Sequence, residues 1–342
     1  MALTTSGNIA IKPQDHTAYF IGEQPCNIDG SFVTSLVNSP QKRQLYANLV
    51  SDFYLSCHPD NRAYVDFYDK VTTYYNIISS PAINLDAEAC RRLKKPLIVR
   101  NEESPLVYTD TNASRANISC FNEKFYPLKI AIVGAGGTGS YILDFVSKTP
   151  VAEIHLFDAD VFNTHNAFRA PGAASVEELE QQLFKIEYLS NKYSQIHKRI
   201  IPHKEYITQA NIEVLKNMSY VFLCVDKVNV RNTIAGYLID NEIPFINSGL
   251  GIYLSDNKLG GMVDVTTAYK DHYYYIKEAF SGNDVKDDDM YASNIQIAEL
   301  NAMAAIYSII KWKKMLGFYH DVKQEMRSVY SISDNDMYNE KY

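Results

Sequence analysis

The chain has 342 residues, 46% apolar and 21% charged, the mix of a folded soluble protein with enough chain for one large domain or two ordinary ones. Its formal net charge of -7 leaves no electrostatic footprint for general nucleic-acid binding. Cys26, Cys57, Cys90, Cys120 and Cys224 lie at least 30 residues apart, which excludes CxxC zinc knuckles and paired redox thiols and suits reduced thiols in a cytoplasm. The eight histidines form no HExxH or HxH cluster, so no protein-built zinc site is expected. Met1 to Gln14 does not read as a signal peptide, and Ala302 to Ile310 is too short and too polar at Ser308 to span a bilayer.

Residues 1–125 read as a separate, smaller α+β module. Helices are predicted around Gln41–Tyr54 and Ala63–Ile78, surrounded by turn-rich pieces such as 25–30. The texture changes at Lys129–Val133, a short apolar β run. Gly134-Ala135-Gly136-Gly137-Thr138-Gly139 follows at once, and Ser140–Ser147 has helical spacing. Ile154–Phe157 is a second strand, ending at Asp158-Ala159-Asp160. A polar loop carries 163–169. Ser175 with Glu178 forms a capping box, and Leu179, Leu183, Ile186 and Leu189 continue one helical stripe. Tyr220–Val225, helical Val228–Asp240 and the strand 244–247 complete an alternation that predicts a Rossmann-like, mostly parallel sheet with helices on both faces, over 126–330. Asn283–Asp289 reads as a mobile loop or a solvated turn. Ile295–Leu316 is apolar on nearly every side, so it belongs in the core or at a subunit contact. The tail 331–342 is polar and expected to be flexible.

Gly134-x-Gly136-x-x-Gly139 follows a strand and opens a helix, the context in which such a loop holds phosphate groups. The first glycine permits a sharp turn, the second a close backbone approach, and the helix N-terminus offers free N–H groups. Asp158 and Asp160, at the end of the second strand, are the candidate ribose acceptors. These features fit a nicotinamide dehydrogenase and an ATP-using enzyme equally. Arg169, Lys185 and Asp226 separate the two. Cations that neutralise charge on phosphate oxygens and a carboxylate that holds Mg²⁺ serve a phosphoryl-group reaction better than a hydride transfer.

The order Gly134–Gly139, Asp160, Asn166-x-x-Arg169, Lys185 and Cys224-Val225-Asp226-Lys227 resembles the ThiF/MoeB/ubiquitin-activating-enzyme superfamily of adenylating enzymes, over 126 to about 316. Its spacing favours Asp160 over Asp158. The resemblance implies an adenylyltransferase that binds ATP and Mg²⁺ and joins a polypeptide's C-terminal carboxylate to the α-phosphate. Asp160 would hold ribose, beside a phosphate turn of Gly134, Gly136, Gly137 and Gly139. Arg169 and Lys185 would bind phosphates, Asp226 would ligate Mg²⁺, and Asn166 would orient phosphate or carboxylate. Family members are commonly homodimers in which an arginine crosses from the partner, and Arg115 is the candidate. The implied partners are a ubiquitin-like or sulfur-carrier-like protein and a conjugating enzyme, in a bacterial ubiquitin-like pathway, with neither nucleic acid nor membrane involved. A peptide or tRNA-borne acid is the alternative substrate.

Three departures stand out. The paired CxxC zinc motifs of many relatives are absent, so no structural zinc is expected. Lys227 replaces the family's turn asparagine. No cysteine follows Cys224, itself read as a small buried hydrophobe, so a C-terminal thioester is not available. Either the adenylate is the product, or an oxygen nucleophile takes the acyl group. Ser293 is the candidate for the second route, with Ser281 nearby. Residues 19–26 and 74–78 resemble an uncharacterised module that precedes ThiF-like domains in bacteria. The expected role of 1–125 is recruitment of a substrate or partner, or a dimerisation cap.

Overall fold

The computed structural model describes residues 5–6, 9–10, 12–46, 49–58, 62–86, 104–116, 118–269, 273 and 295–341. They fall into two units, Met1–Leu97 and Ile98–Tyr342.

In the first unit, β1 (Thr5–Ser6) and β2 (Ile9–Ala10) pair antiparallel. β3 (Thr17–Phe20), β4 (Val37–Ser39), β5 (Arg43–Tyr46), β6 (Leu49–Ser51) and β7 (Phe53–Ser56) precede one long helix, α1 (Phe67–Leu85). β7 lies between β3 and β4, and β5 pairs with β6. The helix predicted over Gln41–Tyr54 is therefore absent among the described residues of that range, which are strand at 43–46, 49–51 and 53–54. Val50, Phe53, Tyr54 and Leu55 suit a pleated surface, and Leu55 is buried against Leu36, Tyr64 and Tyr74. α1 starts later than its apolar spacing predicts because Asp66 caps it, accepting from the Asp69 N–H at 2.7 Å.

The second unit begins before the predicted boundary at residue 125. Val107 N–H donates to Ile196 O and Lys198 N–H to Pro105 O, and Phe125 packs on Trp312 at 5.3 Å. Its elements are α2 (Thr111–Arg115), β8 (Lys129–Val133), α3 (Gly137–Val146), β9 (Glu153–Phe157), α4 (Thr164–Ala167), α5 (Val176–Glu180), α6 (Lys185–Tyr193), β10 (Ile200–His203), β11 (Tyr220–Leu223), α7 (Val228–Asp240), β12 (Phe245–Ser255), β13 (Lys258–Ala268), α8 (Ala298–Met315), β14 (Arg327–Ser331) and β15 (Asp336–Glu340).

Their sheet runs β10-β9-β8-β11-β12-β13-β14-β15, parallel through β12 and antiparallel beyond it. The predicted mostly parallel sheet with two covered faces is present. Side-chain alternation builds both faces. Ile130, Ile132, Ile154, Leu156, Phe222 and Ile246 pack with α3, α6 and α8. Ala131, Val133, Phe157, Val221, Leu223 and Phe245 pack with α7 and the short turn at Ile212–Asn217.

Three details depart from the sequence reading. The single stripe over 179–189 is two helices, α5 and α6, broken at Gln182, whose φ is +48°. The chain is pinned there because Phe162 N–H donates to Leu183 O and Val161 bridges Phe184. The Ser175–Glu178 capping box forms as predicted. The strand predicted over 244–247 extends to Ser255 and turns through Asp256-Asn257, both at positive φ, into β13. The tail forms an edge strand, β15, paired along its whole length with β14. α8 is a core helix, with Leu300, Ala304, Ala305, Ile309 and Trp312 buried.

His197 is fully buried beside this core. Arg199 N–H donates to its Nδ1 at 3.2 Å, so the ring's proton sits on Nε2, which faces Val151 O at 3.0 Å. A second proton would meet an N–H donor, and burial with this geometry brings the pKa down to about 4 from 6.5. Below pH 6.5 the unfolded chain takes up a proton that the folded chain refuses. Stability from this group is therefore intact above pH 6.5 and falls by about 1.4 kcal/mol per pH unit between about 6 and 4. Urea unfolding followed against pH checks this, and His197→Gln should flatten that part of the slope.

Candidate active site

β8 and β11 are neighbours in the sheet, yet the chain leaves them towards opposite faces, into α3 and α7. The crevice beyond their carboxyl ends is where such a sheet holds ligands. A cavity of about 530 Å³ lies there, inside the second unit.

The turn Gly134–Gly139 forms its floor. Gly134 has φ +95°, and a Cβ there would lie 2.6 Å from Cys224 O. At Gly139 a Cβ would overlap the Gly134 carbonyl oxygen. At Gly136 no heavy atom lies within 4 Å of that position, so this backbone is open to a close-approaching group. Asp158 ties the turn to β9. Its carboxylate accepts from the Ala135 and Asp160 N–H groups, each at 2.8 Å, which occupies both oxygens. Burial pushes that carboxyl up from its ordinary range, against the pull of Lys185 and the two N–H groups.

Asp160 has a half-exposed side chain. Lys185 Nζ donates to its Oδ2 at 2.5 Å, and the Tyr206 hydroxyl donates to its Oδ1. Burial raises the Asp160 carboxyl, but these two donors outweigh it and hold the group below the usual carboxylate range. The same contact pushes the Tyr206 phenol up to about 12. The break at Gln182 makes the pairing work. It starts α6 at Lys185, whose own N–H donates to Asp160 O at 2.8 Å.

Arg169, Lys185, Lys227 and Arg231 line the cavity with Asp160 and Asp226. The Nε atoms of Arg169 and Arg231 are buried with no hydrogen-bond partner among the described residues. Burial pulls the Arg169 pKa down while Asp226 and Asp160 hold it up, and the guanidinium stays charged. Asn166 is buried and does not line the cavity. Its Oδ1 caps α4 by accepting from the Asn163 N–H at 2.9 Å, and its Nδ2 has no partner among the described residues. Arg115 is exposed at the end of α2 and does not line the cavity either. Ser281 and Ser293 lie outside the described residues, as does the loop 283–289. Cys224 lines the cavity, and burial raises its thiol to about 12, against a weaker pull from Ser248, so at neutral pH it is a thiol and not a nucleophile.

Sequence reasoning missed Tyr206, Arg231 and Asn301. Arg231 follows Asp226 by five residues and faces back into the cavity from the first turn of α7. Asn301 on α8 accepts from Thr138 Oγ1 at 2.9 Å, donates to Ile297 O at 3.1 Å, and fills the space beside Gly137. We predict that Asn301→Ala lowers stability by about 1–2 kcal/mol and weakens nucleotide binding. Thermal melts with and without ATP read both effects.

The donor set fits a polyphosphate ligand: an open turn at a helix N-terminus, four cations, and two guanidinium nitrogens with unmet hydrogen-bonding capacity. Among the described residues no three His, Cys, Asp or Glu side chains gather as a metal cage. A divalent ion would have Asp226 and the ligand's own oxygens, which is how Mg²⁺ is commonly held.

Comparison with known proteins agrees with this architecture. The chain belongs to the ThiF family, which matches residues 116–324, and residues 1–111 match a domain of unknown function, DUF6791. It is 26% identical over 151 residues to the tRNA threonylcarbamoyladenosine dehydratase of Escherichia coli strain K12, covering 42% of this chain and 50% of that one. It is 24% identical over 160 residues to ubiquitin-like modifier-activating enzyme 5 of Drosophila mojavensis, covering 44% and 39%. The match thus spans half or less of each of these two relatives. In fold it is similar to E. coli MccB crystallised with ATP, at TM-score 0.50 and 14% identity over 90% of this chain and 96% of that one. PaaA gives TM-score 0.50 at 16% identity, over 79% and 85%. Among the described residues no helix is long and apolar enough to cross a membrane.

Proposed function

We propose that this protein is a cytoplasmic adenylyltransferase that uses ATP to activate the C-terminal carboxylate of a ubiquitin-like or sulfur-carrier-like protein. The observation that carries this reading is the gathering of Arg169, Lys185, Lys227, Arg231 and Asp226 around the open face of the glycine turn. A hydride-transfer site has no use for that many cations beside its phosphates. Similarity to an enzyme named for activating a ubiquitin-like modifier supports the choice of substrate.

In the reaction, a substrate carboxylate oxygen bonds to the α-phosphorus of ATP. The bond from that phosphorus to the α–β bridging oxygen breaks, and pyrophosphate leaves with the electron pair. Both reacting groups belong to substrates, so the protein's work is positioning and charge neutralisation. Asp160 accepts the ribose hydroxyls. The backbone at Gly136 and Gly137 approaches the phosphates. Arg169 and Lys185 neutralise charge on the phosphate oxygens, with Lys227 and Arg231 reinforcing the field. Asn166 orients the loop that carries Arg169, its Oδ1 accepting from the Asn163 N–H and its carbonyl oxygen from the Arg169 N–H at 3.1 Å. Mg²⁺, held by Asp226, would draw negative charge off the triphosphate when bound. Arg115, outside its own chain's cavity, would serve the partner's site in a homodimer. The acyl group then leaves as the adenylate for a conjugating enzyme, or passes to the Ser293 hydroxyl oxygen, whose proton is released as the acyl–phosphate bond breaks and AMP leaves with the electron pair.

The test is exchange of labelled pyrophosphate into ATP with purified candidate donors. Exchange that depends on a donor's free C-terminal carboxylate, and that Asp226→Ala abolishes, is the expected result. No exchange with any small-protein donor, beside exchange with an acid carried on tRNA or a short peptide, would reassign the substrate class. Exchange with none of them would reject adenylation.

A further inference from the structure

Neither oxygen of the Asp160 carboxylate is idle in the free protein. Oδ2 accepts from Lys185 Nζ at 2.5 Å, and Oδ1 accepts from the Tyr206 hydroxyl. The two donors differ in how firmly they are held. Lys185 is 7% exposed, opens α6 with its own N–H on Asp160 O, and lies 3.8 Å from Asp158 Oδ1. Tyr206 is 56% exposed and stands in the loop that follows β10. That loop is braced through its backbone. Asn211 Nδ2 donates to Tyr206 O at 3.0 Å and to Glu205 Oε2 at 2.8 Å, and Asn211 Oδ1 accepts from the Thr208 N–H at 2.7 Å. Ile207, next along the chain, is buried in the core with Phe157 and Leu215. The Tyr206 ring can therefore turn about its side-chain bonds while the backbone stays in place.

A ribose carries two neighbouring hydroxyls, and a carboxylate can take such a pair one to each oxygen. The phenol already gives Oδ1 what a ribose hydroxyl would give it, one O–H donor to an ionised acceptor. Tyr206 and Asp160 both line the cavity beside the glycine turn. Seating a sugar on both oxygens thus breaks a bond that the free protein has made, and the exposed ring yields more readily than the buried lysine.

We propose that Tyr206 is a built-in placeholder for ribose: its hydroxyl holds Asp160 Oδ1 in the free protein, gives way to a sugar hydroxyl when a nucleotide enters, and so sets the affinity of the site below what its contacts alone would give. This rests on the reading of Asp160 as the ribose acceptor. A molecule is ready for the sugar when the ring has turned away, and the apparent affinity scales with the ready fraction. One charge-assisted hydrogen bond at a half-exposed site holds that fraction to about one in three to one in ten. ATP and AMP share the sugar, so the contact weakens both alike and eases release of the spent nucleotide.

Calorimetric titration of the full-length protein with ATP and with inorganic tripolyphosphate tests this, since the first carries the sugar and the second carries phosphates alone. Tyr206→Phe keeps the ring and loses the hydroxyl. It should bind ATP about three- to tenfold more tightly, and tripolyphosphate within about twofold of the wild type. Loss of a merely structural hydroxyl would weaken binding, so a gain in affinity beside an unchanged or lower melting temperature separates the two roles. Asp160→Ala should weaken ATP by about tenfold or more, and adding Tyr206→Phe to it should change nothing further, because the phenol then has no carboxylate to hold. ATP affinity unchanged or reduced in Tyr206→Phe, or tripolyphosphate tightened by the same factor as ATP, would overturn the placeholder. ATP affinity that Asp160→Ala leaves intact would overturn the ribose reading on which it rests.

Discussion

Replacing Arg169 by alanine is expected to slow donor-dependent pyrophosphate exchange by about 10²–10³-fold while leaving the protein folded. The guanidinium is half-buried in the wall of the cavity, and its Nε is enclosed without a partner among the described residues. A cation so placed contributes little to the fold. It contributes a great deal where charge builds on a phosphate oxygen, because surrounding protein screens it less than water would. Arg169→Lys keeps the charge but loses the planar fork, so it should recover only part of the rate. Exchange assays beside circular-dichroism melts separate the two roles. A loss of rate that tracks a lowered melting temperature would make Arg169 a structural residue instead.

The second large effect is at Gly139. A methyl group there overlaps the carbonyl oxygen of Gly134 and touches Ile132, which is fully buried in β8. Backbone anchored to a central strand cannot retreat, so Gly139→Ala should cost about 3 kcal/mol of stability and abolish nucleotide binding. Gly136→Ala provides the contrast. Its methyl meets nothing in the protein, so stability should barely move, while ATP affinity falls because the methyl takes the place of an approaching phosphate. Urea unfolding and ATP titration of the two variants check the pair. Equal stability of Gly139→Ala and the wild type would refute the packing argument.

Much of the cavity was legible because its parts sit at fixed offsets from strand ends. A turn of glycines needs small residues at set places, and Asp160, Arg169, Lys185 and Asp226 follow strands or open helices that apolar runs announce. Asp158 and Asp160 could not be separated by composition. The structure distinguishes them by what they touch: two backbone N–H groups for the first, Lys185 and Tyr206 for the second. Tyr206 follows β10 in a loop with no spacing rule, and it is one of many tyrosines. Asn166 looks like a ligand in sequence and acts as a helix cap in the fold. The region 41–54 misled because its apolar residues also satisfy a helical period, whereas packing on Leu36 and Tyr74 selects strands. The Asp256-Asn257 turn carried a usable hairpin signal that the sequence reading passed over.

Thr138 and Asn301, joined by one hydrogen bond, are 163 positions apart along the chain. Closing so long a stretch is entropically slow, and the reward arrives only after the intervening strands have paired. Competence to grip a nucleotide should thus appear late in folding, once the far helix has docked. A nascent chain still short of α8 would have its glycines in place and yet lack the brace beside them. ATP then favours the finished molecule over every unfinished one, by mass action alone.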